Sequence, residues 1–202
     1  LTLSADVLSE LKPSTKYEFK FNGSAQKVET AGAMADYFTA ASDGTSPALE
    51  FNIATGTSHG IYDLVLYEYE GTAVKATFQV VVSDPDSNTV MAFSSDVHTS
   101  PSDTAHVSEK TTGLDIVLYN MAASKADVDI TMTGSDSTYA IASNSDADAN
   151  GVIITENISM TTTAQGTYSV YTDAEDSVGT LSITVYPTLR IDSTGNDDGD
   201  VL

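Results

Sequence analysis

The sequence has no cysteine and no tryptophan, and it sets only 8 basic residues against 29 acidic ones. Without cysteine there is neither a disulfide framework nor a thiolate metal site, and nothing marks a redox compartment. A formal charge of −21 repels phosphate, which excludes the electrostatic footprint of a nucleic-acid binder or of a protein that sits on anionic membrane. No apolar run approaches the roughly 18 residues of a membrane span, and Leu1 does not open a charged-then-apolar export signal. The chain therefore reads as soluble, not inserted in a membrane, and already processed or trimmed at its start.

What is present is length, acid and hydroxyl. The 202 residues suit two domains of about 100 residues better than one small sandwich. The charge is uneven: residues 1–83 carry 10 acids and 5 bases, and the remainder 19 acids and 3 bases, so the second half is the one that attracts cations. Ser and Thr make up about a quarter of the chain, a bias that with scarce Lys and Arg suits β-rich extracellular or cell-surface proteins in saline or calcium-bearing surroundings.

Apolar residues alternate with polar ones, and long helical periodicity is missing, so the expected class is all-β. In "KYEFKF" Tyr17, Phe19 and Phe21 share one face; in "ATFQVVV" Phe78, Val80 and Val82 do the same. The segment "AGAMADYFTAA", Ala31 to Ala41, reads as a connector, a short helix or an irregular edge. A pattern also occurs twice. "YEFKFN" ending at Asn22 is matched to "DIVLYN" ending at Asn120, and "FNIATGTSHGIYDL" from Phe51 to "ISMTTTAQGTYSV" from Ile158; hairpins then lead to "FQVVV" and "LSITV".

The shared element Gly-x-Tyr-x-apolar, at Gly60–Leu64 and Gly166–Val170, resembles the tyrosine corner of immunoglobulin-like sandwiches, in which a Tyr near the start of one strand bonds back to upstream backbone. The Cys expected two residues after that Tyr is Leu64 or Val170, and no Trp is present. These departures point away from antibody domains and toward the looser repeats of bacterial, archaeal and viral surface proteins. The resemblance implies two tandem Ig-like β-sandwich domains. Residues 1–83 form the first, the acidic segment 84–88 the linker, and 89–202 the second with an acidic tail. Tyr62 and Tyr168 are expected at equivalent positions.

Candidate chemistry is sparse. "GTSHG", Gly56 to Gly60, has the letters of a hydrolase nucleophile elbow, but that elbow needs strand, turn, then helix, and "IYDLVLYEYE" follows as a strand. His59, His98 and His106 have no zinc-site spacing. No enzyme is expected. "DADANGVI" places Asp146, Asp148 and Asn150 at alternate positions, then Gly151 and the Val152 carbonyl, as a calcium loop begins; Asn157 stands where its bidentate Glu belongs. The alternative is a solvated acidic turn. Asp84, Asp86 and Asn88 form a second candidate calcium site in the linker, and Asn196, Asp198 and Asp200 a third in the tail, for which a disordered acidic end is the equal alternative. Asn22 and Asn157 head N-glycosylation sequons.

These features suggest a non-enzymatic extracellular structural protein that assembles with copies of itself into a fibre, tube or surface layer, stabilised by calcium. Val65, Tyr67 and Tyr69 face outward if Tyr62 faces in, and Leu1 and Leu3 sit on an N-terminal strand; both sets are candidate assembly contacts. A connector or the other domain covering the tyrosines, or an N-terminal strand that completes its own sandwich, is the alternative. The competing functional reading is an adhesin or carbohydrate-binding module with a glycan ligand, or a virion decoration or tail protein.

Overall fold

The computed structural model describes residues 1–5, 8–94, 104–108, 111–134, 138–160, 165–174 and 178–187, with Asn157 described in its backbone only. Every regular element among them is a strand, so the class is all-β as expected. None of the described residues forms a helix long and apolar enough to cross a membrane. The first half contains β1 (Thr2–Leu3), β2 (Lys16–Phe21), β3 (Ser24–Gln26), β4 (Val28–Thr30), β5 (Ala33–Ala35), β6 (Phe38–Thr39), β7 (Leu49–Glu50), β8 (Gly60–Glu68) and β9 (Val74–Val82). The second contains β10 (Val90–Phe93), β11 (Thr104–Ser108), β12 (Leu114–Tyr119), β13 (Val128–Thr133), β14 (Thr138–Ser145), β15 (Ile153–Ile158), β16 (Gly166–Thr172) and β17 (Leu181–Tyr186).

These strands make four sheets: β1-β7-β4-β5, then β3-β2-β8-β9 with β6 on β2, then β10-β12-β15, and β11-β17-β16-β13-β14. No sheet mixes described strands from the two halves. Facing sheets close over separate cores because alternation puts one apolar row of each strand inside. In the first half Tyr17, Phe19, Leu64, Leu66 and Val80 of one sheet meet Val28 and Leu49 of the other. In the second, Met91, Phe93, Ile116, Leu118 and Ile153 meet Ile130, Met132, Val170, Leu181 and Ile183. The segment 31–41, left open between helix and edge, forms the edge strands β5 and β6.

Turn chemistry sets the hairpins. Asn22 and Gly23 link β2 to β3 with φ of 48° and 75°, the paired positive values that a two-residue hairpin turn matching the strand twist requires. Ala31 and Gly32 join β4 to β5 in the same way.

The tyrosine elements occupy matching places. Gly60 and Gly166 open β8 and β16 at φ of 151° and 145°, Tyr62 and Tyr168 are both buried, and each strand pairs with the one that follows it, Tyr62 opposite Val80 and Tyr168 opposite Ile183. The Tyr62 hydroxyl donates to the Ser58 carbonyl at 2.8 Å, four residues upstream. The match of "YEFKFN" to "DIVLYN" fails, however. β2 pairs with the strand of Tyr62, whereas β12 lies in the opposite sheet from Tyr168, between β10 and β15. By pairing, the counterpart of β2 is β13, which neighbours β16. β2 and β12 are both strands followed by an Asn of positive φ, Asn22 and Asn120, a shared local conformation in different sheets.

Replacing Tyr62 with Phe removes a single hydrogen bond while keeping the ring, so denaturant unfolding of Tyr62→Phe should show a loss of about 0.5–1.5 kcal/mol. A Cβ at Gly166 meets no neighbouring atom. Gly166→Ala should thus cost only backbone strain, roughly 1–3 kcal/mol, measured the same way.

Candidate functional site

The halves meet at a built junction. Outward from both cores, Ile61 of β8 packs with Ala92, Val117, Tyr119 and Val152, and with the half-buried Val81 and Val90. Ile61, Val117 and Tyr119 are each at most 2 % exposed, so a seam of core-like density joins the outer face of β8–β9 to that of β10–β12. The Gln79 amide adds a hydrogen bond to the Ser94 carbonyl across it. Burial raises the Tyr119 hydroxyl above its usual ionisation range, helped by the nearby Tyr62.

Asn120 ties the connecting segment down. Its Oδ1 accepts from the Asp84 N–H at 2.8 Å, its Nδ2 donates to the Asn88 carbonyl at 3.0 Å, and its own N–H donates to Ser83 Oγ at 3.0 Å. One buried side chain thus holds both ends of residues 84–88, and φ of 67° is a conformation Asn tolerates better than most residues. The linker's first carboxylate, on Asp84, accepts from the Ser87 hydroxyl and the Asp86 N–H; these bonds lower its ionisation range. Asp86 is exposed, and Asn88 contributes its carbonyl to Asn120 rather than to a cluster with Asp84.

The loop of Asp146, Asp148 and Asn150 is closed by its own atoms. Asp148 Oδ1 accepts from the N–H groups of Asn150 and Val152 at 2.8 and 2.9 Å, its Oδ2 from the Asn150 amide at 3.2 Å. The Val152 carbonyl accepts from the Asp148 N–H. Asp146 turns to the Asp127 N–H at 3.2 Å. Gly151 has φ of 71°, and a Cβ there would overlap the Met121 carbonyl oxygen, so the glycine is required by the approach to Met121. Among the described residues no three His, Asp or Glu side chains are grouped as metal ligands. Neighbouring acids act alike: Asp129 accepts from the Asn144 N–H and Asp173 from the Asp129 N–H, both at 2.8 Å. Asn196, Asp198, Asp200 and His98 lie outside the described residues.

The outward row of β8 runs from the seam at Ile61 to Val65, Tyr67 and Tyr69, all half-buried. Lys20 Nζ lies 4.4 Å from the Tyr67 ring and Lys16 Nζ 4.1 Å from that of Tyr37, whose ring lies tilted against Tyr69 with centroids 4.7 Å apart. The connector therefore covers Tyr69, and the Lys20 ammonium covers Tyr67. Nearby, Ser9, Glu10, Lys12, Tyr17, Glu68 and Lys75 line an open cleft of about 450 Å³. At the N-terminus, β1 pairs with β7 of its own chain, Leu3 packs on the core, and Leu1 is 50 % exposed.

Asn22 is exposed at its hairpin tip, where the turn alone accounts for the Asn-Gly pair; Asn157 lies in β15. Gly56–Gly60 leads into β8, and Ser58 serves the Tyr62 corner through its carbonyl. His59 lies 6.2 Å from the Tyr119 ring, and His106 bonds the Tyr186 hydroxyl at 3.2 Å.

No family model matches the chain, and no curated protein does either. Solved structures do. One is a tetra-tandem repeat in the extending region of a large adhesion protein, at 14 % identity and a TM-score of 0.29, aligned over 87 % of this chain and 42 % of that one. A second is the Bacteroides ovatus mixed-linkage glucan utilization locus protein SGBP-B in complex with mixed-linkage heptasaccharide, at 15 % and 0.27 over 87 % and 42 %. A third is the BSP domain of a biofilm associated protein, at 14 % and 0.30 over 95 % and 30 %. The alignments thus span less than half of each of these three chains.

The seam makes the junction pH-sensitive in one direction. Because the folded state holds the Tyr119 hydroxyl protonated beyond its ordinary value of 10.0, its contribution is complete below that pH and is lost as pH climbs past it. Small-angle scattering should show the halves separating at strongly alkaline pH before either core melts, with Tyr119→Phe resisting the change. Asn120→Ala should cost more than Asn120→Gly by roughly 1 kcal/mol in chemical unfolding, since both lose the side-chain clamp and only Ala adds strain at positive φ.

Proposed function

We propose that the protein is a non-enzymatic extracellular structural protein, a rigid tandem of two Ig-like units that assembles with copies of itself into a fibre, tube or surface layer. The observation that carries this reading is the junction: an apolar seam plus a linker clamped at both ends by Asn120. Domains that move during a catalytic or ligand cycle are joined by smaller, more polar contacts. A lattice subunit instead must transmit geometry from one neighbour to the next, which a fixed joint does. The strongly acidic second half supports a role for calcium as a bridge between copies more than as a loop ligand, because Asp148 already closes its loop with backbone N–H groups.

The second reading, an adhesin that binds glycan, draws on the tyrosine and lysine side chains of the β2–β8 face and on the adjoining cleft. It places contact on side chains of one unit and asks nothing of the joint.

Electron microscopy of the purified protein in millimolar calcium and then in chelator tests the first reading. Ordered assemblies that loosen when calcium is withdrawn are expected; a protein monomeric in both conditions at every concentration would overturn it. Asp148→Ala, tested in chelator, should lower the melting temperature, as loss of a charged hydrogen-bond acceptor costs about 1.5–3 kcal/mol.

A further inference from the structure

We propose that copies of this chain join edge to edge, β9 of one against β14 of the next. The inference rests on the self-assembly reading above and names its contact. Among the described residues each half ends one sheet on a long strand with one side open: β9 has 9 residues and pairs with β8 alone, and β14 has 8 and pairs with β13 alone. Outer strands present unpaired N–H and C=O groups, and monomeric proteins blunt them by shortness, charge or proline. The other outer strands here follow that rule. β1, β3, β5, β10 and β11 have 2, 3, 3, 4 and 5 residues, and β15 carries Glu156.

β9 and β14 break it. "TYAIASNS" of β14 has no charge and no proline, in a chain with 29 acids. "VKATFQVVV" of β9 has one charge, Lys75, neutralised by Glu68 at 3.1 Å. Copies of so acidic a chain repel over most of their surface, and these two long edges carry no acid.

The second half shows what such an edge accepts. β17 corresponds to β9 by its pairing with the tyrosine strand, and its far edge is filled by β11, in parallel, from Thr104 opposite Ser182 to Ser108 opposite Tyr186. Ala105 and Val107 of β11 pack on the core. No described strand does this for β9, and Ala76 and Phe78 remain only partly buried. Because the two joining edges differ, the contact is heterologous, and it adds copies head to tail into an open filament, or a ring where the rotation closes, instead of pairing two copies about a two-fold axis.

The test uses the whole chain and two exposed positions, Thr77 on β9 and Ala140 on β14. Thr77→Glu and Ala140→Glu should each keep the wild-type circular dichroism and melting temperature. Each should raise the concentration for half-assembly, read by sedimentation velocity, by at least about tenfold, since a charged side chain on an edge strand opposes the addition of another strand. A folded Thr77→Glu chain still offers β14, so a small fraction mixed into wild type should cap growth and shorten filaments in electron micrographs; Ala140→Glu should cap the other end. The double variant should do neither. Single variants that assemble like wild type, or a double variant that still shortens filaments, would overturn the edge contact alone. Wild type that never assembles overturns the structural reading together with it.

Discussion

The buried seam around Ile61, Val117 and Tyr119 is the contact on which the arrangement of the molecule depends. Each half has a core of its own, and those cores are assembled from facing sheets by the ordinary alternation of strand residues. Nothing in either core relates one half to the other. That relation comes from residues on the outer faces, which without the seam would leave valine, isoleucine and tyrosine in water. Asn120 adds direction to an interaction that has none of its own: apolar burial is non-directional, whereas three hydrogen bonds to Ser83, Asp84 and Asn88 fix the path of the connecting chain.

The strand class, the inward rows of β2 and β8, and the paired Gly-x-Tyr elements were legible because each rests on local rules of alternation and backbone conformation. Strand neighbours were less so. Matching β2 to β12 relied on a pattern that any apolar strand followed by Asn satisfies, and sheet membership is a non-local property. The seam had left a signal that went unused. "VMAF" and "IVLY" are unbroken apolar runs, whereas "KYEFKF" alternates. An unbroken run marks a strand buried on both faces, and the second face of β10 and β12 is the one that meets Ile61 and Val81. The Asn-Gly pair at 22–23 was likewise a hairpin signal, read only as a sequon.

The acidic loops carry a different lesson. Asp-x-Asp-x-Asn-Gly resembles a calcium loop because calcium and backbone N–H groups make the same demand, carboxylate oxygens turned inward around a tight bend. Here Asp148 answers to Asn150 and Val152, Asp146 to Asp127, Asp129 to Asn144 and Asp173 to Asp129. Each of these carboxylates satisfies a backbone donor where pairing is interrupted or the chain turns, as at the irregular register between Val128 and Ile130. Part of the acidity of the second half is thereby structural. The sequence pattern specifies the geometry of the oxygens but not which positive partner they face.

Charge and edges together connect the monomer to its proposed job. A large net negative charge keeps separate chains apart through solution, but it falls steeply with distance at physiological salt, over about 8 Å. Contact is therefore decided by what lies locally at the surface, and strand edges free of acid are places where main-chain hydrogen bonds form without acid facing acid. With the joint fixed, the angle between β9 in one half and β14 in the other is fixed as well. A rigid body bearing two different edges at a set angle repeats that angle at each addition, so the geometry of any filament would be set inside the subunit, by the packing of Ile61 against Val117 and Tyr119.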